Sequence, residues 1–576
     1  VIIHALAVDY DGTIAEHGRV SAPTAAALRR VRESGRRLLL VTGRLLPDLR
    51  RVCPEADELF DAVVAENGAV LYTPTSREIR TLGDAPEPSL VEALRARGVP
   101  FDLGSSLVAT EAPWAEACLA AIREAGVERS LVFNKGALML LPGGVTKGTG
   151  VEAALAAMEL SAHNLVGIGD AENDHAFLGL CECAVAVADA VPALKERADY
   201  VTRGGAGAGV VEFIEEHLLQ DAARLVPGLR RHHLELGRTP ADQPVTIPAH
   251  GTGLLVVGPS ASGKSTLTGV IVERLARAGR TFCLLDPEGD HATLAELEGV
   301  VTLGGQGRQT LPESDELQQL LRGPGGGLVL NLSALPLADK VRYATRALAA
   351  VAAVRSARGL PHWLLVDEAH HLAPAEGSSA AELLQVSGES LVLITLSADH
   401  LARDARRTIT ALASTDLEAF RSALDTLRAD GLAVGPGAGP DRPPLERGEA
   451  LLARLDGSGP AGVRFRVARR EVHHRRHVRK YAEGELPPDR SFFFRGPAGV
   501  LNLRAANLKR FCELAEGVDD DTWMWHLRRG DYSAWIRRDI KDAELAGEVA
   551  AVERDSADPP GARRQVLEAI RRRYSV

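Results

Sequence analysis

Residues 5–13 read ALAVDYDGT, an apolar run that stops at Asp9-Tyr10-Asp11-Gly12-Thr13. A short apolar run bounded by turn residues is a buried strand. Two carboxylates at i and i+2 just past its end can face one small volume. Asp9 is then placed to attack a phosphoryl group, with Asp11 protonating the leaving oxygen and later activating water. A bound Mg²⁺ would offset the repulsion between carboxylates and phosphate.

Outward from this stretch, the same pattern returns. RLLLV (37–41) leads into Thr42-Gly43-Arg44, whose hydroxyl and amides can hold phosphate oxygens. VTKGTG (145–150) sets Lys147 at a helix start, adding a charge and a helix dipole. NLVGIG (164–169) ends in Asp170-Ala171-Glu172-Asn173-Asp174, a Mg²⁺ locus. Strands alternating with helical stretches over residues 1–218 predict a parallel, doubly wound α/β sheet, which places its site at the carboxyl ends of the strands. Residues 77–142 interrupt the alternation with helix, two short strands, helix and two strands, the pattern of an α+β cap.

These four motifs, in this order, resemble the haloacid dehalogenase (HAD) superfamily of phosphatases. The inserted cap is similar to that of its small phosphoglycolate and sugar phosphatases. The resemblance implies a Rossmann-like core with Asp9 as nucleophile and Asp11 as acid/base. It implies phosphate binding by Thr42 and Lys147. Mg²⁺ would be held by Asp9, the Asp11 carbonyl and Asp170, supported by Asn173 and Asp174.

A second strand–loop–helix follows at GLLVVGPSASGKST (253–266). Gly258 to Ser265 match the Walker A phosphate cradle, in which backbone amides around Gly258, Ser260 and Gly263 wrap phosphates. Lys264 reaches the β and γ oxygens, Ser265 ligates Mg²⁺, and Thr266 is a further nucleotide-binding candidate. HWLLVDEAHHL (362–372) ends a strand in Asp367-Glu368. Asp367 would hold Mg²⁺ through water and Glu368 would polarise an attacking water, which favours ATP hydrolysis over kinase chemistry. LLDPEGDH, VDEAHHL and TLSADHL together resemble the HerA/FtsK group of motor ATPases over residues 228–470. That resemblance implies a RecA-like fold, ATP and Mg²⁺ as cofactors, and a homo-oligomer, a hexameric ring in those relatives. Arg406 or Arg407 would complete a neighbour's site. Thr395-Leu396-Ser397 lacks the glutamine common in those relatives.

The domain reading is therefore HAD phosphatase (1–218, cap 77–142), connecting helix and entry hairpin (219–243), P-loop ATPase (244–467) and a small, mostly helical, basic C-terminal domain (468–576).

The chain has 576 residues with 67 basic and 77 acidic side chains, a net charge of −10. Hydrophobic residues make up 45% and charged residues 25%, which excludes global disorder and a collagen-like fibre. No apolar run reaches the ~18–20 residues of a membrane span, and VIIHALAVDYDGT is not a signal peptide. The expectation is a cytoplasmic protein with no membrane partner and six reduced cysteines. The charge is uneven. Residues 459–576 hold 24 basic and 18 acidic groups, or +6, which leaves −16 upstream. Arg469, Arg470, Arg475, Arg476, Arg479 and Lys480 crowd one stretch, interleaved with His473, His474 and His477. Trp523, Trp525 and Trp535 lie among arginines further on. Such a mixture binds nucleic acid or, the favoured reading, forms a helical domain with aromatics in its core.

The functional expectation is a bifunctional hydrolase acting on a phosphorylated metabolite, nucleotide or nucleic-acid end. The alternatives are an enzyme of polynucleotide kinase–phosphatase type and a nucleotide-gated oligomeric scaffold for the phosphatase.

Overall fold

The computed structural model describes all residues except 1–2, 135, 224, 306–309, 324–325, 378, 387–389, 436–442, 458–461, 471–485, 487–489, 498–500, 541, 556–557 and 575–576. Val1–Arg470 form one compact unit and Glu471–Val576 a second.

The first sheet has eight strands, in the order Tyr200–Val201, Cys183–Ala186, Leu165–Gly169, Ala5–Asp9, Arg37–Val41, Ala62–Ala65, Val70–Thr73 and Glu78–Thr81. Its five strands from Cys183–Ala186 to Ala62–Ala65 are parallel. Burial on both faces explains why they read as continuous apolar runs. Helices Ala22–Glu33 and Lys147–Ala157 are started by the side chains of Ser21 and Thr146, which accept the amides of Thr24 and Thr149. A separate four-stranded sheet with helices Pro88–Ala96 and Ala115–Ala125 forms the inserted α+β unit. It starts later than the expected residue 77. Glu78–Thr81 pairs antiparallel with Val70–Thr73 and extends the core sheet instead.

The second sheet has eleven strands. From Ala411–Ser414 through Gly253–Val257, Leu391–Thr395, Trp363–Val366, Phe282–Asp286 and Gly327–Asn331 to Val300–Gly304, each neighbour is parallel. The hairpins Leu234–Arg238/Pro244–Ile247 and Glu449–Arg454/Val463–Val467 close one edge. The segment between the sheets is not the expected single helix. It holds three one-turn pieces, Leu218–Gln220, Val226–Gly228 and Arg230–His232. Left-handed Asp221 and Ala222 break the first turn, and Pro227 removes a donor from the second.

The two sheets meet at their amino-terminal strand edges. Glu182 precedes Cys183–Ala186 and is fully buried. Arg280, which precedes Phe282–Asp286, donates to both its carboxylate oxygens at 2.9 and 2.8 Å. Arg280 also donates to His250 Nε2 at 2.8 Å, and His163 Nδ1 lies 2.9 Å from Glu182. Beside this node Arg358 donates to the Met158 carbonyl at 2.8 Å and pairs with Glu159. The motif-bearing loops of both sheets occupy the opposite, carboxyl-terminal edges, so they point away from each other.

Among its described residues, the regular elements of the C-terminal unit are helices and the hairpin Phe492–Phe494/Leu503–Ala505. Phe492, Phe494, Phe511, Trp523, Tyr532 and Trp535 form its core. Trp523 stacks on Tyr532 at 4.4 Å. Those two tryptophans are therefore withdrawn from any base-stacking role, whereas Trp525 carries Arg529 at 4.5 Å over its ring. Of the basic run, Arg475, Arg476, Arg479, Lys480 and their neighbouring histidines lie outside the described residues. Arg470 is buried against Glu273 at 2.9 Å. All six cysteines are free and buried. No described helix is long and apolar enough to cross a membrane.

The Glu182 node has a measurable consequence. Burial opposes its ionisation, but His163, His250 and Arg280 outweigh burial and hold the carboxyl well below its ordinary range. Glu182→Gln leaves Arg280 buried without a counter-charge, an expected loss of about 3–5 kcal/mol in denaturant unfolding of the first unit. Burial also lowers His232 to about 4. The unfolded chain binds that proton more readily, so stability falls as pH drops from 6.5 towards 4. Glu182 adds a loss at lower pH still, as pH falls through its depressed value. A melting temperature unchanged between pH 7 and 4 would contradict this account.

Candidate functional site

Asp9, Thr42 and Asp170 stand at the ends of neighbouring parallel strands, and the Lys147 helix enters from the side. That helix approaches because residue 68 is glycine. A Cβ there would lie 1.8 Å from the Thr146 carbonyl oxygen, and Gly68 has φ +105°. Lys147 is buried, and its Nζ donates to Asp9 Oδ1 and Asp174 Oδ1, each at 2.5 Å. The second oxygen of Asp174 accepts the amides of Asp170 and Ala171 at 2.9 Å each. Thr13 Oγ1 donates to Asp170 Oδ1 at 3.0 Å.

Asp9, Asp170 and Asp174 thus place ligand oxygens within 4.8 Å of one another, all buried. One lysine does not balance three carboxylates. Burial, then Asp174 and Asp170, push Asp9 well above the usual carboxylate range against the pull of Lys147. An all-oxygen donor set with surplus negative charge fits a hard divalent cation such as Mg²⁺. Asp9 and Asp170 would hold it, with Asp174 orienting Lys147 and the loop.

Asp11 stands apart. Arg44 Nε and Nη2 hold its carboxylate at 2.7 and 2.8 Å, and Nη1 donates to Asp48 at 2.6 Å. Thr42 is buried, and its hydroxyl accepts the Arg44 amide at 3.1 Å. Asn173 donates to Asn67 at 3.0 Å. Sequence reasoning gave no role to Arg44, Glu66 or Asn67. Buried Glu66 accepts the amides of Ser105 and Ser106 in the inserted unit, each at 3.1 Å, and so ties that unit to the core. The signal for Glu66 and Asn67 was Glu66-Asn67-Gly68 directly after a strand, at the same sheet edge as the other motifs.

On the second sheet, the loop Gly258–Gly263 joins strand Gly253–Val257 to helix Lys264–Arg277. Lys264 Nζ donates to the carbonyls of Gly258 and Pro259 at 2.8 and 3.1 Å. Ser260 is exposed at the loop tip, Ser265 is buried, and Thr266 donates its amide to Gly263. Asp367 ends strand Trp363–Val366, and Glu368 follows in a left-handed conformation. Burial and Asp367 raise Glu368 above its usual range. His370 Nδ1 lies 3.2 Å from the Thr395 hydroxyl. Arg406 donates to Asp430 at 2.5 Å and to the Leu401 carbonyl, so it is committed within its own chain. Arg407 is exposed beside Asp404 at 3.4 Å, which leaves it the freer of the two expected fingers.

Comparison with known proteins speaks to the first sheet and its cap. A family profile described as haloacid dehalogenase-like hydrolase matches residues 6–103 and 105–214. A phosphoglycolate phosphatase of Methanothermobacter thermautotrophicus is 36% identical over 228 residues, 38% of this chain and 99% of that protein. One from Haloarcula marismortui is 32% identical, covering 36% of this chain and 95% of its own. A solved haloacid dehalogenase-like hydrolase from Bacteroides thetaiotaomicron is 20% identical, covering 37% of this chain and 98% of that one, with TM-score 0.33. Through its N-terminal domain, the chain belongs to the haloacid dehalogenase-like hydrolases.

If the three carboxylates take Mg²⁺, the ion stabilises the native chain. At about 100 times its dissociation constant the gain is about 2.7 kcal/mol. Melting temperature should rise on adding Mg²⁺, and Asp170→Asn should remove most of that rise. An equal rise in the variant would place the ion elsewhere.

Proposed function

We propose that this hydrolase is a Mg²⁺-dependent phosphomonoesterase that works through a phosphorylated Asp9. The observation that carries the reading is the buried Lys147 bridge between Asp9 and Asp174, set in an over-charged pocket of carboxylates at a sheet edge. Asp9 attacks phosphorus, and the P–O bond to the leaving alcohol breaks. Asp11 gives that oxygen a proton. A water then attacks the phospho-aspartate, losing its proton to Asp11, and phosphate departs with Asp9 restored. Mg²⁺, when bound, supplies charge neutralisation of the transferring group. Thr42 and Lys147 would hold its oxygens. Because Arg44 grips Asp11, the acid step requires Asp11 or Arg44 to turn towards the substrate.

The substrate we favour is a small phosphorylated metabolite, phosphoglycolate first, on the strength of the curated relatives named above. A phosphatase screen across phosphoglycolate, sugar phosphates, nucleotides and 3′- or 5′-phosphorylated oligonucleotides tests it. Preference for oligonucleotide ends would overturn it.

The second sheet, in this proposal, binds and hydrolyses ATP as a RecA-like, HerA/FtsK-like domain. The support is the Gly258–Ser265 loop at the head of its helix with Asp367-Glu368 at a nearby strand end. Oligomer assembly, with Arg407 reaching a neighbour's site, and nucleic acid as a partner of the C-terminal unit belong to the same proposal. The polynucleotide kinase–phosphatase alternative is disfavoured by geometry. The two motif edges face away from each other, so a nucleic-acid end must leave one site to reach the other.

Asp9→Asn should lower phosphatase turnover by at least about 10³-fold, the scale expected for loss of a covalent nucleophile, while ATP hydrolysis persists. Lys264→Ala should do the reverse. With γ-labelled ATP, label released as phosphate supports hydrolysis, and label on an oligonucleotide supports the kinase.

A further inference from the structure

Strands Phe282–Asp286 and Trp363–Val366 run parallel in register, Leu285 beside Val366, so Asp286 and Asp367 emerge side by side at one sheet edge. Both are buried. Two ionised carboxylates cannot share such a place without a counter-charge or a set of donors.

The intervening loop supplies both. Asp286 Oδ1 accepts the amides of Gly289 and Asp290 at 2.8 and 3.1 Å, and Oδ2 accepts the amide of His291 at 2.9 Å. The loop is thus wound on the Asp286 carboxylate, and the winding delivers the His291 ring to Asp367. His291 Nε2 lies 2.9 Å from Asp367 Oδ2. The Glu368 amide holds the other oxygen, Oδ1, at 2.9 Å. His291 is 1% exposed, and its Nδ1 has no hydrogen-bond partner among the described residues. Gly289 permits the turn, with φ +73°.

We propose that His291 is a positioning residue of the nucleotide site, an imidazole that fixes the orientation of the Asp367 carboxylate and is itself placed by a loop wound on Asp286. This rests on the P-loop reading of the second sheet. The work assigned to His291 is geometric. With Oδ1 tied to the Glu368 amide and Oδ2 to the imidazole, the carboxylate plane has one orientation. Groups that orient a metal-binding carboxylate in this way typically contribute about 10–100-fold to affinity or activity.

The experiment uses the full chain and a fluorescent ATP analogue, titrated with and without Mg²⁺, beside ATP turnover and phosphatase turnover. For His291→Ala, the expected result is a loss of most of the Mg²⁺-dependent gain in nucleotide affinity and a fall of about 10–100-fold in ATP turnover. Metal-free nucleotide affinity and phosphatase turnover should stay as in the native chain. His291→Gln keeps a donor at the position of Nε2 and should recover most of the loss, which a merely space-filling role would not require. An alanine variant with full Mg²⁺ dependence and turnover overturns the role of His291 alone. A native chain that binds no nucleotide overturns the P-loop reading, and this role with it. If alanine unfolds the domain, the glutamine variant decides: retained Mg²⁺ dependence supports the assignment, and its loss in a folded protein overturns it.

Discussion

A carboxylate taken out of water must be given a cation or a set of donors, and this constraint governs the construction of the molecule. Lys147 answers Asp9 and Asp174 at the edge of the first sheet. Arg280 answers Glu182 where the two sheets meet. His291 stands against Asp367, with Asp286 wrapped in amides, at the edge of the second sheet. The three answers differ in completeness. Glu182 is saturated by a guanidinium and the imidazoles of His163 and His250, as suits a joint. The Asp9 pocket keeps more negative charge than one lysine neutralises, as suits a site that awaits a divalent cation and a phosphate. Burial raises Asp286 to about 6, a sign that its surroundings only partly compensate for lost water.

The saturated node also sets the direction of the other two. Because the amino-terminal strand edges of both sheets are consumed in the joint, both sets of motif loops are left at outer edges. The two motif-bearing edges therefore share a body without facing a common space. The inserted unit follows the same logic on a smaller scale. Glu66 reaches from the core turn to the Ser105 and Ser106 amides, so the unit is tied to the loop that also carries Asn67.

Much of this was legible in the sequence because parallel strands buried on both faces read as unbroken apolar runs. The polar residue that ends such a run is at the carboxyl edge by construction. ALAVD, RLLLV, NLVGIG, GLLVV and WLLV were therefore readable as strands, and the residues that follow them as the loops of one edge. What escaped were partnerships with no local signature. Glu182 and Arg280 are 98 residues apart, and nothing in GLCECAV marks an ion pair. Arg44 was visible beside Thr42, but its grip on Asp11 depends on how two loops pack. The connecting helix expected within 219–243 does not form, because Pro227 and an Asp221-Ala222 pair in left-handed backbone interrupt it. The tryptophans of the last unit read equally as a stacking surface or a core. Burial of Trp523 and Trp535 among six aromatic rings answers that in favour of the core.

The joint bears on how two outward-facing sites can influence each other. Arg280 lies just beyond the helix Lys264–Arg277, whose first residue, Lys264, closes the Gly258–Gly263 loop. Glu182 lies just beyond the helix His175–Leu178, which continues from the Asp170–Asp174 loop. Each motif loop is therefore tied by one helix to the same buried ion pair. Contiguity of this kind is a route and not yet a coupling, since a rigid body transmits nothing unless one of its parts has two states of similar free energy. A salt bridge with no exposed atom and several donors is a poor candidate for such a part, because breaking it leaves a buried charge. Any influence of the second sheet on the first is then better sought where packing is looser and side chains are part-exposed. The Arg44 grip on Asp11 is such a place, since half-exposed Asp11 can exchange its partner for water or substrate at little cost.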